Sequence, residues 1–311
     1  MTSVLFFQQA GAYGPTGHCL VAILGYSWSS EYSKSVLDTF FPTATALCAA
    51  ANWPDSIKGN PLYKQTIREH YMSDWESPEP FSFHDNQRCP QIPFDAKSCP
   101  NDHCIIRAMH KYCTKLYYQF ETILPHIEMS LFNGKEKRQQ LDHSSSKEFK
   151  ESLMFIIHLL GDAHQPLHLC GKERGGNERI VSYNGKTIDL HSMWDTHLLS
   201  SKIEQHHQGS YEQYLLALLA QETASKYASN KHGKQQTQQH AILSLEWFVQ
   251  WTSMVHCNYA PVIWNDVLSR KVFEIAHSEY EKNAFNVMDD LLIAAGHTLA
   301  QVLDEIFSLK N

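Results

Sequence analysis

Several features that are common in proteins of this length are missing from this sequence of 311 residues. It has no apolar run approaching the roughly 20 residues of a transmembrane helix, so we expect no membrane span. It has no excess of positive charge, since the formal net charge is −7, and this argues against a broad basic face. It also has no Asn-x-Ser/Thr sequence, no internal repeat and no break in composition, which predicts a single domain without N-linked glycans.

Cysteine and histidine are abundant, with 8 and 19 residues respectively. Eight cysteines are typical of an exported, oxidised protein. The N-terminus is consistent with export, because a short apolar run at 4–7 is followed by Ala10-Gly11-Ala12, which reads as a signal-peptidase site. Cleavage after Ala12 would leave Tyr13 as the first residue; the alternative is a frayed native N-terminus. We therefore expect residues 1–12 to be a signal-peptide remnant, residues 13–311 to be the mature domain, and the protein to be secreted or periplasmic.

Two His-x-x-x-Asp patterns dominate the sequence. His158 and Asp162 lie within an apolar pattern of helical period, so both side chains project from one face of a helix. Pro166 ends this helix just after residue 165, and His168 follows on the next turn. His191 and Asp195 repeat the same spacing. Imidazole and carboxylate groups are good zinc ligands, so the sequence predicts a zinc centre. Surface histidines and acids are the alternative reading.

The remaining pattern predicts an all-α protein: a single multi-helix domain with a small β-hairpin and disulfides. The hairpin is indicated by Asn184-Gly185 between two short β-type segments, 179–183 and 186–190. A turn is expected at 52–58, an extended segment at 81–85, a loop at 86–103 and a polar connector at 133–146. One helix is expected to begin at about residue 18, and the helix that carries His158 is expected to end at residue 165. Further helices are expected over 34–51, 105–131, 211–227, 241–256, 272–282 and 285–306.

The motifs of this sequence resemble those of the zinc-dependent class I nucleases, which are the single-strand-specific nucleases and 3′-nucleotidases of fungi, plants and bacteria. The resemblance spans residues 13 to about 300, with the motifs in family order. The matching segments are Tyr13-Gly14-Pro15-Thr16-Gly17-His18, Trp53-Pro54-Asp55, the segment from His158 to His168, Gly175-Gly176-Asn177 and the segment from His191 to Asp195. The bacterial zinc-dependent phospholipases C share this fold and are the nearest alternative.

The resemblance implies three zinc ions. The implied ligands are His158, Asp162 and Asp55 for the first ion, His168, His191 and Asp195 for the second, and His18 with the amine and carbonyl of Tyr13 for the third. Asp162 would bridge the first and third ions. Tyr13 stands where the family usually has tryptophan, but its backbone would bind the ion, so the side chain should matter little once the amine is free.

Two departures from the family affect the expected site. Aligning Phe83 and Asp85 with the family's base-binding residues places Ser82 where a zinc-binding histidine belongs. We expect His84 to replace that ligand, because residues i and i+2 of an extended segment share a face; otherwise the first site lacks one ligand. Lys58 stands where fungal members have arginine, so the positive charge is kept but the bidentate contact with phosphate is lost.

The cysteines also match the family in part. The resemblance implies a short-loop disulfide, Cys99–Cys104, and a long-range disulfide, Cys89–Cys257. The pairing of four further cysteines cannot be read from the sequence. They are Cys19, Cys48, Cys113 and Cys170.

The resemblance implies an enzyme that hydrolyses single-stranded RNA and DNA to 5′-nucleotides and removes the phosphate from 3′-nucleotides. These nucleic acids and nucleotides are the expected partners; no membrane and no obligate protein partner is expected. Asp55 and Lys58 would be catalytic, Asp55 orienting water and Lys58 steadying phosphoryl charge. Phe83 would stack on the base and Asp85 would accept a hydrogen bond from it. The bound ions would reverse the local field of an acidic chain.

Three alternatives remain. A phospholipase C would need an apolar mouth in place of a base pocket. A non-enzymatic zinc-binding protein is suggested by the 19 histidines, but it would not need a bridging Asp162. A carboxylate di-iron bundle is suggested by two Glu-x-x-His segments, 204–207 and 274–277. Metal analysis with parallel nuclease and phospholipase assays would separate them.

Overall fold

The computed structural model describes residues 14–72, 99–132, 143–229, 243–264, 267 and 272–308. Most of these residues are helical, which confirms the predicted all-α class. The α-helices are α1 (Gly14–Trp28), α2 (Glu31–Phe40), α3 (Ala44–Ser56), α4 (Ile105–Phe132), α5 (His143–Asp162), α6 (Leu190–Ser192), α7 (Leu198–His207), α8 (Tyr211–Ser229), α9 (Leu245–Trp264) and α10 (Glu279–Phe307). No helix in these ranges is long and apolar enough to cross a bilayer.

Shorter elements connect the helices near the predicted zinc centre. Three 3₁₀ helices span Pro61–His70, Pro100–Asp102 and Pro166–Leu169, and a π-helical turn, Met193–His197, joins α6 to α7. The predicted hairpin is confirmed: β1 (Ile180–Tyr183) pairs antiparallel with β2 (Lys186–Asp189). Its turn residues, Asn184 and Gly185, have φ angles of 50° and 71°, as a two-residue turn matching the strand twist requires.

Helices α1 and α10 pack closely because each carries a glycine at the contact. A Cβ on Gly25 of α1 would lie 2.5 Å from Leu299 Cδ2. A Cβ on Gly296 of α10 would lie 2.6 Å from Leu24 Cβ and 2.6 Å from Trp28 Cζ3. Any side chain at either position would therefore push the helices apart. This contact fixes α1, which carries His18.

Helix α5 lies in the core, where it contacts α1, α3, α4 and α10. A disulfide between Cys19 and Cys48 joins α1 to α3, and the disulfide between Cys99 and Cys104 lies directly before α4. Cys113 and Cys170 are free and buried. Helices α1 and α3, which carry the predicted ligands His18 and Asp55, are thus covalently joined.

Several predicted boundaries were wrong. The expected helix over 34–51 is two helices, and the turn expected at 52–58 is mostly the last turn of α3, so Asp55 lies within a helix. Pro54, in the last turn of α3, has no N–H and so makes no hydrogen bond to the carbonyl of residue 50. The helix expected from residue 272 does not begin until Glu279. Glu274 forms a parallel bridge with Ser182 of β1, and Ser278 accepts a hydrogen bond from the N–H of Glu281 at the start of α10. The pattern of α10 runs back into this segment, which hid the break.

Candidate metal centre

The first group of predicted ligands meets between α5 and α3. His158 and Asp162 are one turn apart on α5, and His158 Nε2 lies 3.1 Å from Asp162 Oδ2. Asp55, from the end of α3, places Oδ1 3.5 Å from His158 Nε2. The other nitrogen of His158, Nδ1, donates a hydrogen bond to the carbonyl of Ala51 at 2.7 Å. Both His158 and Asp162 are fully buried.

His70, which the sequence analysis did not select, belongs to the same group. It ends the 3₁₀ helix Pro61–His70, and its Nδ1 lies 2.8 Å from Asp162 Oδ2 and 3.0 Å from His158 Nε2. The distance from His70 Nδ1 to Asp55 Oδ1 is 3.7 Å. His70, His158 and Asp162 could therefore hold one ion together.

The second group forms beside the first. His191 Nε2 lies 3.1 Å from Asp195 Oδ2, and the rings of His168 and His191 stack with centroids 5.0 Å apart. Each imidazole is oriented by a backbone carbonyl: His168 Nδ1 donates to the carbonyl of His70 at 2.8 Å, and His191 Nδ1 donates to that of Gly175 at 2.7 Å. A ligand-bearing segment of the first group thus orients a histidine of the second.

His18 completes the cluster from α1. Its ring is fully buried and stacks on that of His158 with centroids 3.8 Å apart. His18 Nε2 lies 3.3 Å from Asp162 Oδ1, on the opposite oxygen from His158 and His70. Asp162 therefore lies between the two sides of the cluster. Tyr13, the other predicted ligand of the third ion, lies outside the described residues.

The hydrogen-bond pattern of the cluster fits neutral imidazole ligands. Where Nδ1 donates to a carbonyl, the proton is fixed on Nδ1, and the lone pair of Nε2 points into the cluster, as metal-binding histidines require. His168 Nε2 and both ring nitrogens of His18 are buried without a hydrogen-bond partner among the described residues. Such groups are costly to bury unless something binds them. A cation bound at His168 Nε2, and another at His18 Nε2, would supply the missing interaction there.

Burial and neighbouring charges shift the pKa values of Asp162 and His191. Burial raises the pKa of Asp162, but the neighbouring His158 and His168 outweigh this and hold it well below its ordinary value. Burial lowers the pKa of His191, but Asp195 outweighs burial and raises it to about 9, so an ion that binds Nε2 would displace a proton from the ring. Asp195 also accepts a hydrogen bond from Gln165 Nε2 at 2.6 Å. The carboxylate of Asp162 therefore remains ionised, as cation binding requires.

A cavity of about 520 Å³ opens onto the cluster. On the side of the first group, its wall includes Lys58, Ile67 and Tyr71; on the side of the second it includes Cys170 and Arg174. The ammonium of Lys58 lies 2.5 Å from a carboxylate oxygen of Asp55. Tyr71 is 37% exposed, so part of its side chain is accessible from the cavity.

The predicted residues Phe83, His84, Asp85 and Cys89 lie outside the described residues. Cys257, expected to pair with Cys89, is disulfide-bonded. The structure brings together the remaining predicted ligands that it describes. The sequence does contain a feature that could have identified His70. It lies between Asp55 and His158 in the chain and directly precedes an aromatic residue, as Ser82 directly precedes Phe83.

Comparison with known proteins agrees with this geometry. The model of the S1/P1 Nuclease family matches residues 13–308. Nuclease S1 of Aspergillus oryzae is 24% identical over 310 residues, covering 97% of this chain and 94% of its own. Endonuclease 3 of Arabidopsis thaliana is 26% identical over 230 residues, covering 71% of this chain and 67% of its own. Nuclease P1 of Penicillium citrinum is 23% identical over 223 residues, covering 71% of each chain. The family match extends over nearly the whole chain, and the protein belongs to the S1/P1 nuclease family.

Proposed function

We propose that this protein is a zinc-dependent nuclease that hydrolyses single-stranded RNA and DNA to 5′-nucleotides and removes the phosphate from 3′-nucleotides. The observation that carries the proposal is the convergence of three His/Asp groups at one end of a cavity, with Asp162 between them. The family match and the relatives named as nucleases support the reaction class. The disulfides favour an oxidising location outside the cytosol, in keeping with the predicted export.

The proposed centre holds three zinc ions. The proposed ligands are Asp55, His70, His158 and Asp162 for the first ion, His168, His191 and Asp195 for the second, and His18, Asp162 and the backbone of Tyr13 for the third. Three carboxylates cannot neutralise three divalent cations, so the loaded centre would be positive and would attract phosphate despite the acidic chain. When bound, zinc stabilises negative charge developing on phosphate oxygens and makes water a better nucleophile near neutral pH.

His70 is proposed as the ligand that the sequence analysis sought at His84. Its Nδ1 is 2.8 Å from the carboxylate of Asp162. Two backbone hydrogen bonds hold the chain that follows His70. The N–H of Met72 donates to the carbonyl of His168 at 2.8 Å, and the carbonyl of Tyr71 accepts from the N–H of Ile105 at 3.1 Å.

If His70 is the ligand, Tyr71 is the aromatic residue that directly follows it. This is the position that Phe83 was expected to occupy. Tyr71 lines the cavity and is partly exposed, so its ring is available to stack on a base of the substrate. Stacking on an aromatic face tolerates any base, because every base has a π-face. We therefore propose Tyr71 as the base-stacking residue and expect little base selectivity from it.

Lys58 and Asp55 are proposed to act on the reacting phosphate and on water. The ammonium of Lys58 is held at the cavity wall by Asp55, and it can donate to a phosphoryl oxygen where charge develops. The second oxygen of Asp55 can accept a hydrogen bond from water and orient it. A charged, aromatic wall of this kind favours a nucleotide over the lipid that a phospholipase C would admit.

Parallel assays test the proposal. Purified protein with its zinc content measured would be assayed on single-stranded DNA and RNA, on 3′-nucleotides and on phosphatidylcholine vesicles. We expect hydrolysis of the first three and none of the vesicles, with loss of activity on zinc removal and recovery on its return. Zinc binding without hydrolysis, or hydrolysis of the lipid alone, would refute the proposal.

A further inference from the structure

The two cationic residues other than histidine that line the cavity, among those the structure describes, are held differently. Lys58 lies beside the first group of ligands and is bound closely to Asp55. Arg174 lies on the side of the second group, its side chain is 79% exposed, and its nearest carboxylate oxygen, on Glu178, is 3.7 Å away. Exposed ion pairs of this geometry contribute little. The guanidinium of Arg174 is therefore available at the rim of the cavity.

The backbone at Arg174 is unusual. Glu173 and Arg174 have φ angles of 46° and 53°, a left-handed conformation that costs a residue with a side chain about 1–2 kcal/mol. The N–H of Arg174 donates to the carbonyl of Gly171 at 3.0 Å, and its own carbonyl accepts from Asn177 Nδ2 at 2.7 Å. These bonds hold the conformation, so the direction of the arginine is set by an internally bonded loop. Residues in sparsely populated conformations cluster at functional sites.

The loop is also fixed against the metal centre. The carbonyl of Gly175, the next residue, accepts the hydrogen bond that orients His191. A Cβ on Gly175 would lie 2.7 Å from the carbonyl oxygen of Leu167, so the loop packs too closely there to admit a side chain. Arg174 is therefore one residue from a group that positions a proposed zinc ligand, yet its own side chain points to solvent.

We propose that Arg174 binds the phosphodiester adjacent to the one being cleaved, and so favours polynucleotides over mononucleotides. The proposal rests on the proposed nuclease function. The reacting phosphate belongs at the buried ligands, whereas Arg174 is at the exposed rim, so a continuous strand crossing the cavity would bring a second phosphate to it. A guanidinium can hold a phosphate with two parallel hydrogen bonds. A 3′-mononucleotide has no second phosphate and cannot use this contact.

The test compares two substrates with Arg174→Asn and Arg174→Lys. Asparagine tolerates the left-handed conformation, so the first variant removes the charge and keeps the loop. For Arg174→Asn we expect kcat/KM on a single-stranded decanucleotide to fall about three- to tenfold at low salt. Its logarithmic salt dependence should become shallower by about 0.7, the value for one phosphate contact on a single strand. The rate on a 3′-mononucleotide and the zinc content should not change. Arg174→Lys keeps the charge but not the second hydrogen bond, so it should lose less decanucleotide activity than Arg174→Asn.

Lys282→Asn is the matched control, because it removes one charge from an exposed ion pair on α10, 3.3 Å from Glu279 and away from the cavity. It should leave both rates unchanged. Equal losses on both substrates in Arg174→Asn would mean that the residue acts through the His191 loop, and no loss on either would mean that no second phosphate binds there; both results overturn the subsite. If the unaltered protein cleaved neither substrate, the proposed function would fail and the subsite with it.

Discussion

Substitution of Gly161 by alanine should remove the third zinc ion with little effect on the fold. Gly161 lies one residue before Asp162 on α5, against the ring of His18. A Cβ at this position would lie 2.9 Å from His18 Nδ1 and 3.3 Å from His18 Cε1. Favourable contacts between such atoms are about 3.5–4.0 Å, so the ring must move by roughly 0.5–1 Å. The ring is fully buried and stacks on His158, so it can move only by leaving its position beside Asp162.

The expected magnitudes differ for stability and activity. Alanine is favoured over glycine within a helix by about 1 kcal/mol, and overpacking costs about 1–3 kcal/mol. In metal-free protein the free energy of unfolding should therefore fall by no more than about 2 kcal/mol, which is a few degrees in Tm; in zinc-loaded protein the loss of the third ion should add to this. A displacement of about 1 Å in a catalytic constellation can cost about 100-fold in rate. Gly161→Ala should thus remain folded, bind one zinc ion fewer and lose about 100-fold in kcat on a 3′-nucleotide.

The assay combines zinc content by plasma mass spectrometry, Tm and steady-state kinetics on the same preparations. Gly59→Ala is the matched control, because a Cβ on Gly59 meets no atom within 4 Å. It should leave all three quantities unchanged. Full zinc content and full rate in Gly161→Ala would refute the reasoning, because His18 could not then be a ligand in the observed position.

Four further predictions follow from the same geometry. His70→Ala should lose zinc from the first site and most of the activity, whereas His84→Ala should do neither, as zinc analysis and kinetics would show; the reverse result would restore His84 as the ligand. Lys202→Met should lower the free energy of unfolding by about 3 kcal/mol in denaturant titration without changing zinc content, because it leaves Asp289 of α10 without the ammonium that is 2.6 Å away. Chelation should lower Tm as well as activity, since a free zinc concentration of about 100–1,000 times the dissociation constant stabilises the fold by about 3–4 kcal/mol per site. An unchanged Tm after confirmed zinc loss would contradict this. Protein that retains residues 1–12 should be weakly active, because the nitrogen of Tyr13 is then an amide, and N-terminal sequencing of active protein should begin at Tyr13.

The elements predicted well from the sequence are those with a local cause. The hairpin was identified because Asn184 and Gly185 suit the left-handed turn in which both are found. The pairing of His158 with Asp162 followed from helical spacing alone. The break between α2 and α3 was missed, although Thr43 accepts a hydrogen bond from the N–H of Ala46 and so caps α3. An apolar pattern that continues across a break concealed it.

The parts of the site that were missed depend on contacts between distant segments. His70 reaches Asp162 across 92 residues of sequence, and its local mark is limited to the aromatic residue that follows it. Its carbonyl also orients His168, a relation that can be seen only once the two segments are adjacent. The disulfide between Cys19 and Cys48 is of the same kind, since it depends on α1 lying against α3. Sequence spacing can identify candidate ligands that lie on one helix. Candidate ligands from distant segments, such as His70, are identified only by the tertiary packing that brings those segments together.

The most direct test of the three-zinc centre is the anomalous signal at the zinc absorption edge from a crystal of the protein beginning at Tyr13. The account predicts three zinc peaks beside Asp162, the first of them bound by His70, His158 and Asp55. A first peak bound by His84 in place of His70, or a cluster without zinc peaks in protein that hydrolyses single-stranded nucleic acid, would contradict it.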